Sequence, residues 1–95
     1  MTVARIYIIR ATDSAEMEAG LEALADAVRK MTGSKGVEVL RDLGEEKRFI
    51  FIEKWESEEA HAAGLDALDK SLLGPVSAAS DGPPDGSYYD YLKVI

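Results

Sequence analysis

Apolar residues recur along this chain with two periods, one typical of strands and the other typical of helices. The segment 48–55 alternates, so that Phe49, Phe51, Glu53 and Trp55 share one face of a strand and the intervening isoleucines share the other. Aromatic and β-branched residues dominate the segment, which is typical of a buried strand. Because both faces are largely apolar, both are expected to be covered in the folded protein.

Three further strands follow from the same pattern. Residues 2–11 and 37–43 are predicted strands, and the turn at 44–46 joins the second strand to the third as a hairpin. Residues 81–87 combine glycine and proline in the way that loops do, and residues 88–95 are predicted to form the last strand. The predicted sheet therefore has four strands.

The first helix is predicted between the first two strands. Asp13 is a helix N-cap and has capping-box spacing to Glu16, while Gly33 is a plausible C-cap. Between them, apolar residues repeat with the spacing of one helix face: Met17, Leu21, Leu24, Ala25, Val28 and Met31. This helix is expected to cover one face of the sheet.

The second helix follows the third strand almost without a loop. Ser57 is its predicted N-cap, and the two glutamates after it favour the positive end of the helix dipole. The helix is expected to run to about Leu73, with a weak apolar stripe interrupted by Gly64. The pair Gly74–Pro75 is predicted to end or kink it.

The order β-α-β-β-α-β predicts an α+β fold, a ferredoxin-like antiparallel sheet with two helices on one face, in a single domain spanning 1–95. The other face still carries isoleucines and valines. A second copy of the sheet is the simplest cover, which predicts a homodimer packed face to face. The other interpretation is a monomer whose far face is half-exposed.

Composition excludes several classes of function. A net charge of −7 with scattered basic residues argues against a nucleic-acid or anionic-membrane partner. The chain has no cysteine, which excludes disulfides and thiolate chemistry. No long apolar stretch is present, so the expected location is cytoplasmic. A phosphate-binding glycine loop is absent and metal-ligand spacing around the single histidine is missing, so neither a loop-bound nucleotide nor a metal is expected.

Glu53 is unusual because it shares a face with Phe51 and Trp55. A carboxylate on an apolar face needs a partner or a shifted pKa. One interpretation is an acid or base in a pocket; the other is an ion pair with an arginine, for which Arg5, Arg41 and Arg48 are candidates.

His61 is the only side chain whose ordinary pKa lies near neutrality. It precedes Leu65 by four residues and Leu68 by seven, so it can face the sheet near Trp55 and act as a general base on a phenol. The other interpretation is a partly exposed helix histidine without a role. Trp55 can likewise stack on a flat substrate or simply belong to the core, and strand tyrosines such as Tyr7 can bond a ligand or pack.

The chain resembles the antibiotic biosynthesis monooxygenase (ABM) domain family, part of the dimeric α+β barrel group. The resemblance is densest in 36–42, GVEVLRD, and in 48–60, RFIFIEKWESEEA. The family's third-strand pattern, an aromatic followed by Glu-x-Trp, is matched by Phe51, Glu53 and Trp55. The resemblance implies a pocket between sheet and helices, in which characterised members oxidise phenolic or quinol-like polyketides with oxygen and without metal or flavin.

Related members that degrade haem use an Asn, a Trp and a His. This chain has no Asn, and the positions that usually carry the His hold Gly64 and Leu65, with His61 about one turn earlier. The hypothesis is therefore cofactor-independent oxidation of a small aromatic molecule, with His61 and Glu53 catalytic and with Trp55, Tyr7 and Phe51 binding the substrate. The alternatives are a non-catalytic binding or stress-related dimer and, third, haem binding.

Overall fold

The computed structural model describes residues 2–95. Over that range the order of elements is β1 Val3–Arg10, α1 Ser14–Val28, β2 Ser34–Arg41, β3 Arg48–Trp55, α2 Glu58–Ala67, α3 Leu73–Ala78 and β4 Asp85–Asp90. A 3₁₀ turn at Lys70–Leu72 connects α2 to α3. None of the helices in residues 2–95 is both long and apolar enough to cross a membrane.

The four strands form one antiparallel sheet in the order β2-β3-β1-β4. This is the predicted ferredoxin-like α+β fold, which is confirmed, although the described part of the chain, residues 2–95, has three α-helices rather than two. Strand β1 lies between β3 and β4, with Arg5 opposite Glu53 on one side and opposite Tyr88 on the other. The register therefore brings polar residues from three strands into one row.

The core lies between the sheet and the helices. The alternation predicted for β3 is confirmed, because Phe49, Phe51, Glu53 and Trp55 are all at most 7% exposed. From the other side, α1 contributes the buried residues Met17, Leu21, Leu24 and Val28. Each Å² of apolar surface that this layer removes from water stabilises the fold by about 25 cal/mol.

Helix α1 begins as predicted and ends early. The Asp13 carboxylate accepts a hydrogen bond from the Glu16 backbone N–H at 3.0 Å, which satisfies one free donor of the first turn. The helix ends with Arg29 as C-cap, so the predicted cap at Gly33 is wrong. Gly33 instead has φ +86° in the following turn, a backbone conformation that favours glycine.

The second helix is shorter than predicted. Ser57 caps α2 by accepting from the Ala60 N–H at 3.0 Å, as expected, but the helix ends at Ala67 because Leu68 adopts an extended backbone. Gly74–Pro75 do not end a helix: they lie in the first turn of α3. Proline is tolerated there because first-turn N–H groups have no helical acceptor.

Strand β4 lies earlier in the chain than predicted. It begins at Asp85 rather than at Tyr88, and residues 91–95 have no regular structure. The register gives the reason, since Asp90 is paired with Val3, the first residue of β1. Beyond Asp90 the neighbouring strand has ended, and with it the backbone partners that an extended β4 needs.

The sheet face away from the helices is apolar at its centre. Cross-strand neighbours there include Ile50 beside Ile8 and Ile52 beside Ile6, all four of them part-exposed. Two further side chains extend the surface to the sheet edges, since Leu40 is 47% exposed and Tyr89 is 50% exposed. We call this surface, made of Ile6, Ile8, Leu40, Ile50, Ile52 and Tyr89, the outer sheet face.

Candidate active site

A cavity of about 480 Å³ lies between the sheet and the helices. Its walls are mostly apolar and come from all three helices, for example Leu24 of α1, Leu65 of α2 and Val76 of α3. One end is polar and is formed by side chains of β1, β3 and α2. Such a pocket, apolar with a few convergent polar groups, is typical of a small-molecule site.

All five site residues named from the sequence line this cavity. Tyr7 comes from β1, and Phe51, Glu53 and Trp55 come from β3, where alternate residues share a face. His61 comes from the first turns of α2, whose start is fixed by the Ser57 cap. The structure therefore brings the five together, while their catalytic and binding roles stay predictions.

His61 is buried, with 5% of its surface exposed, so the interpretation as a partly exposed helix histidine is wrong. Its Nε2 atom lies 3.1 Å from the Tyr7 hydroxyl, and its Nδ1 atom lies 2.6 Å from the Tyr88 hydroxyl. In a neutral imidazole one nitrogen donates and the other accepts. One tyrosine therefore donates to the ring while the other accepts from it, which fixes the ring in place.

The surroundings of His61 favour its neutral form. Burial lowers its pKa below the ordinary 6.5, and the charge of Arg5 lowers it further. The nearest carboxylate is that of Glu53, whose Oε1 lies 3.6 Å from Nε2. An uncharged imidazole at neutral pH can accept a proton, which is the state that a general base requires.

Glu53 does not form the ion pair that was one interpretation of it. Arg41 pairs with Glu18 and Arg48 with Asp42, and Arg5 forms no salt bridge within residues 2–95. Instead, the Trp55 indole Nε1–H donates to Glu53 Oε1 at 2.9 Å. Burial raises the pKa of Glu53 above the ordinary 4.5, opposed by that hydrogen bond and by the Arg5 charge.

Trp55 belongs both to the core and to the pocket. It is 1% exposed, and its ring meets the His61 ring edge-on with centroids 5.8 Å apart. Gly64 makes room for it, because a Cβ at that position would lie 2.5 Å from Trp55 Cη2. A histidine at position 64 would displace the indole, so His61 lies where a histidine can reach the pocket beside Trp55.

Two residues of the site were not named as such from the sequence. Tyr88 was not singled out among the strand tyrosines, and Arg5 was considered only as an ion-pair candidate for Glu53. The guanidinium carbon of Arg5 lies 5.0 Å from the Tyr7 ring centre and 4.4 Å from the Tyr88 ring centre. The signal was available, since Arg5 is a charge between Val3 and Tyr7 on the apolar face of β1.

Tyr7 carries its proton at neutral pH. Burial raises its pKa above the ordinary 10.0, while Arg5 opposes the shift. The polar end thus presents a neutral imidazole between two hydroxyl groups. Within residues 2–95, no three His, Asp or Glu side chains are grouped so that they could hold a metal ion.

Comparison with known proteins gives one family. The sequence model of the family described as antibiotic biosynthesis monooxygenase matches residues 1–66, which is most of the 95-residue chain. The matched range runs from β1 into α2 and includes all five of the predicted site residues. A comparison with curated proteins finds no match.

Solved structures of similar fold cover nearly the whole chain. SnoaB, a cofactor-independent oxygenase from Streptomyces nogalater, is 15% identical with a TM-score of 0.87 over 99% of this chain and 96% of that one. A candidate antibiotic biosynthesis monooxygenase from Bordetella bronchiseptica is 18% identical with a TM-score of 0.86 over 97% and 98%. A similar protein from Nitrosomonas europaea is 19% identical with a TM-score of 0.83 over 98% and 100%. At these identities the likeness establishes the fold.

Proposed function

Because the chain belongs to the antibiotic biosynthesis monooxygenase family, we propose that it oxidises a phenolic or quinol-like small molecule with O₂ and without a bound cofactor. The observation that carries the proposal is the buried His61, held neutral at the polar end of an apolar pocket and bonded to Tyr7. The cofactor-independent oxygenase activity of SnoaB, which shares the fold, supports the reaction class.

His61 acts as the general base, and Tyr7 connects it to the substrate. Both ring nitrogens are bonded to tyrosine hydroxyls, and of these tyrosines Tyr7 lines the cavity, whereas Tyr88 lies outside its lining and is 38% exposed. A substrate hydroxyl bonded to Tyr7 passes its proton through that hydroxyl to His61 Nε2. Tyr88 holds Nδ1 and fixes the ring orientation, and the imidazole returns the proton through Tyr7 to the peroxide that forms from the substrate anion and O₂.

The deprotonated substrate then reduces oxygen itself. For an anthrone, the electron-rich anion transfers an electron to O₂, and recombination forms a carbon–oxygen bond at the ring methylene. Loss of water from the resulting peroxide leaves a carbonyl, so that the methylene and O₂ give a quinone carbonyl and one H₂O. The protein's part is to form the anion and to hold it in a pocket that excludes water.

The aromatic walls position a flat substrate. Phe51 packs against Tyr7 with ring centres 6.4 Å apart, and Trp55 packs against His61. A ring placed between these side chains would gain offset or edge contacts, each worth about 0.5–1.5 kcal/mol beyond burial. Glu53 holds the Trp55 indole through its 2.9 Å hydrogen bond and lies within 3.6 Å of the imidazole.

Oxygen uptake tests the proposal directly. Purified protein is supplied with a panel of anthrones and hydroquinones, and consumption of O₂ is followed together with product mass from ¹⁸O₂. We expect one labelled oxygen atom in the product. Replacing the base with a residue of similar size, His61→Gln, should lower the rate by about 10²–10⁴-fold.

The control variant is Tyr89→Phe. Tyr89 follows Tyr88 on β4 and lies on the outer sheet face, so the hydroxyl that is removed lies on the opposite side of the sheet from the pocket. Its rate should equal that of the parent protein. If panel members quench the single tryptophan but no oxygen is consumed, the non-catalytic binding role is correct and the oxygenase proposal is wrong.

The same proposal includes a homodimer. The outer sheet face has half-exposed isoleucines at its centre, and a second copy related by a two-fold axis would cover it with the same residues. Two sheets pack about 10 Å apart when their inner side chains interdigitate. The helices and the pocket then lie on the outside of the assembly, one pocket for each copy.

A further inference from the structure

We propose that Arg5 is the anion-binding residue of the pocket, and that the small molecule bound there carries a carboxylate beside its flat aromatic part. The proposal rests on the proposed function in placing an aromatic molecule in this pocket. It adds the chemical group that the polar end recognises and the residue that determines specificity for it.

Arg5 differs from every other arginine in the chain. The remaining four each form a salt bridge: Arg10 with Glu45, Arg29 with Asp26, Arg41 with Glu18 and Arg48 with Asp42. Arg5 forms none within residues 2–95, although the chain has 18 acidic residues and a net charge of −7. In so acidic a protein, the one arginine without a carboxylate is the one that lines the cavity.

The Arg5 side chain is held in a fixed position rather than extended into water. Its guanidinium carbon lies between the rings of Tyr7 and Tyr88, at 5.0 and 4.4 Å from their centres. Cation–π contact with two rings keeps a guanidinium plane in place, and the N–H groups that are not bonded to a neighbour can still donate to a ligand. An arginine fixed in this way loses little further freedom when it binds a ligand.

One donor of Arg5 is buried without an acceptor. The Nε atom is buried and has no hydrogen-bond partner within residues 2–95. Leaving a buried N–H of a charged group unpaired is costly, and such atoms in native proteins usually have a protein or water partner. The unpaired donor shows that the neighbouring residues do not satisfy the Arg5 guanidinium by themselves.

Gly86 makes the arrangement possible. A Cβ at this position of β4 would lie 2.9 Å from Arg5 Nη2 and 2.7 Å from Tyr7 Cε1. Any side chain larger than hydrogen would therefore push the guanidinium and the phenol away from their observed places. The register supports this, because Gly86 is paired with Tyr7 and lies two residues from Tyr88 on the same face.

A carboxylate fits these donors better than a neutral group does. It is planar and accepts two parallel N–H bonds from a guanidinium, whereas an alcohol offers a single uncharged oxygen. The one carboxylate among the cavity-lining side chains is that of Glu53, which is not within 4.0 Å of Arg5 and whose pKa is raised by burial. The positive charge of Arg5 is thus available to a ligand, and the apolar walls accept the rest of the molecule.

Binding of a matched pair of ligands tests the proposal without requiring turnover. Anthracene-2-carboxylate and 2-(hydroxymethyl)anthracene have nearly the same shape and differ in charge. Their affinities for the full chain are measured at pH 7 by calorimetry and by quenching of the single Trp55. We expect the carboxylate to bind about tenfold tighter or better, the ratio typical of one charge-assisted pair.

Variants then locate the preference. Arg5→Met should remove it by weakening the carboxylate alone, and Arg5→Lys should retain only part of it because the fork is lost. Arg10→Met, on the same strand but paired with Glu45 at the surface, should leave both affinities unchanged. Circular dichroism checks that each variant is folded.

Three outcomes overturn the proposal: equal affinity for the two ligands in the parent protein, no binding of either at millimolar concentration, or a preference that survives in folded Arg5→Met. The first comparison needs no variant, so it stands even if Arg5→Met does not fold. Oxygen uptake with neutral hydroquinones is independent of this result, so a failure here leaves the oxygenase proposal intact.

Discussion

At the scale of single residues, the protonation of His61 determines the pH range in which a base-dependent reaction can run. Its pKa is lowered from 6.5 by burial and by Arg5, so the neutral, active form predominates at neutral pH. We expect kcat/KM to rise from acidic pH with a midpoint below 6.5 and to level off above that midpoint. A midpoint above 6.5, or an acidic limb that persists in His61→Gln, would contradict this assignment.

Glu53 is predicted to reduce the stability of the fold at neutral pH. Its pKa is raised by burial, so the folded state holds its proton more tightly than the unfolded state, and stability is lost as pH rises above the ordinary value of 4.5. Glu53→Gln should therefore raise the free energy of unfolding at pH 7, with the difference vanishing below about pH 4. Urea unfolding at both pH values measures it.

The control for that experiment is Glu56→Gln, an exposed position just past the end of β3. Surface changes of this kind usually stay within about 0.5 kcal/mol. If Glu53→Gln destabilises the protein at pH 7, then the ionised carboxylate is a net stabilising partner of Arg5 and Trp55.

Gly64 is predicted to be required by the size of Trp55. A methyl group there would lie 2.5 Å from Trp55 Cη2, and the indole is held by core packing and by its hydrogen bond to Glu53. Gly64→Ala should therefore destabilise the fold by up to about 2 kcal/mol, since overpacking costs about 1–3 kcal/mol and helix propensity returns about 1. Thermal melts should show a Tm lower by up to about 16 °C.

Gly74→Ala is the matched control, because a Cβ there meets nothing within 4 Å. Gly64 lies inside α2, whereas Gly74 lies in the first turn of α3 before Pro75, so the gain in helix propensity is smaller at position 74 and only position 64 meets the indole. Gly74→Ala should change stability by no more than about 0.5 kcal/mol. Equal effects of the two substitutions would show that the contact with Trp55 is not what requires a glycine at position 64.

At the scale of elements, α2 is predicted to matter for the site and not only for the fold. Its cap Ser57 fixes the first turn, which carries His61, whereas Asp13 caps α1, which contributes only apolar wall to the pocket. Ser57→Ala and Asp13→Ala should each cost about 1 kcal/mol of stability. Only Ser57→Ala should also lower kcat/KM, because it loosens the turn that holds the imidazole.

The two variants are expected to lose the same stability, so a comparison of their kcat/KM values separates the effect of stability from the effect of the position of His61. Urea melts give the stability of each, and kcat/KM is measured well below both melting temperatures. An equal loss of kcat/KM in Asp13→Ala would mean that activity follows global stability and not the position of His61.

The elements also show why some features were predictable from sequence. The faces of β3 follow from a period of two that strand geometry imposes, so the inward row ending in Trp55 was identified correctly. The break in α2 was not, because it depends on Leu68 turning into the core, where it is 7% exposed. Similarly, β4 ends where β1 begins, a pairing that no local pattern in residues 88–95 reports.

The polar end of the pocket could be predicted only in part, because it too depends on contacts between residues that are distant in the sequence. Glu53 was noticed as a charge on an apolar face, and the same argument applied to β1 would have found Arg5. What sequence could not provide is the contact of Tyr88 with His61, at 2.6 Å, because it joins β4 to α2 across 27 residues. Distances of that kind depend on the register of the whole sheet.

At the scale of the whole molecule, one sheet separates two apolar surfaces. One surface faces the helices and forms the pocket together with them, and the other is the outer sheet face. A substitution on an outward position should therefore change assembly and leave the pocket chemistry in place, because neighbouring strand residues point to opposite faces. Ile6 and Tyr7 are such a pair, adjacent in sequence and directed to opposite sides of β1.

Ile6 is the position at which we test the homodimer. It lies on β1 between Ile52 and Ser87, near the middle of the outer sheet face. Light scattering after size exclusion should give the parent protein twice its 10.3 kDa chain mass. Ile6→Glu places two carboxylates in the buried centre of a two-fold interface, where an unpaired charge costs several kcal/mol, so this variant should have the mass of one chain.

Leu43→Glu is the control, since Leu43 is fully exposed in the hairpin turn and its substitution should leave the mass unchanged. A parent protein with the mass of one chain, or a folded Ile6→Glu that stays dimeric, would show that the two sheets do not pack face to face.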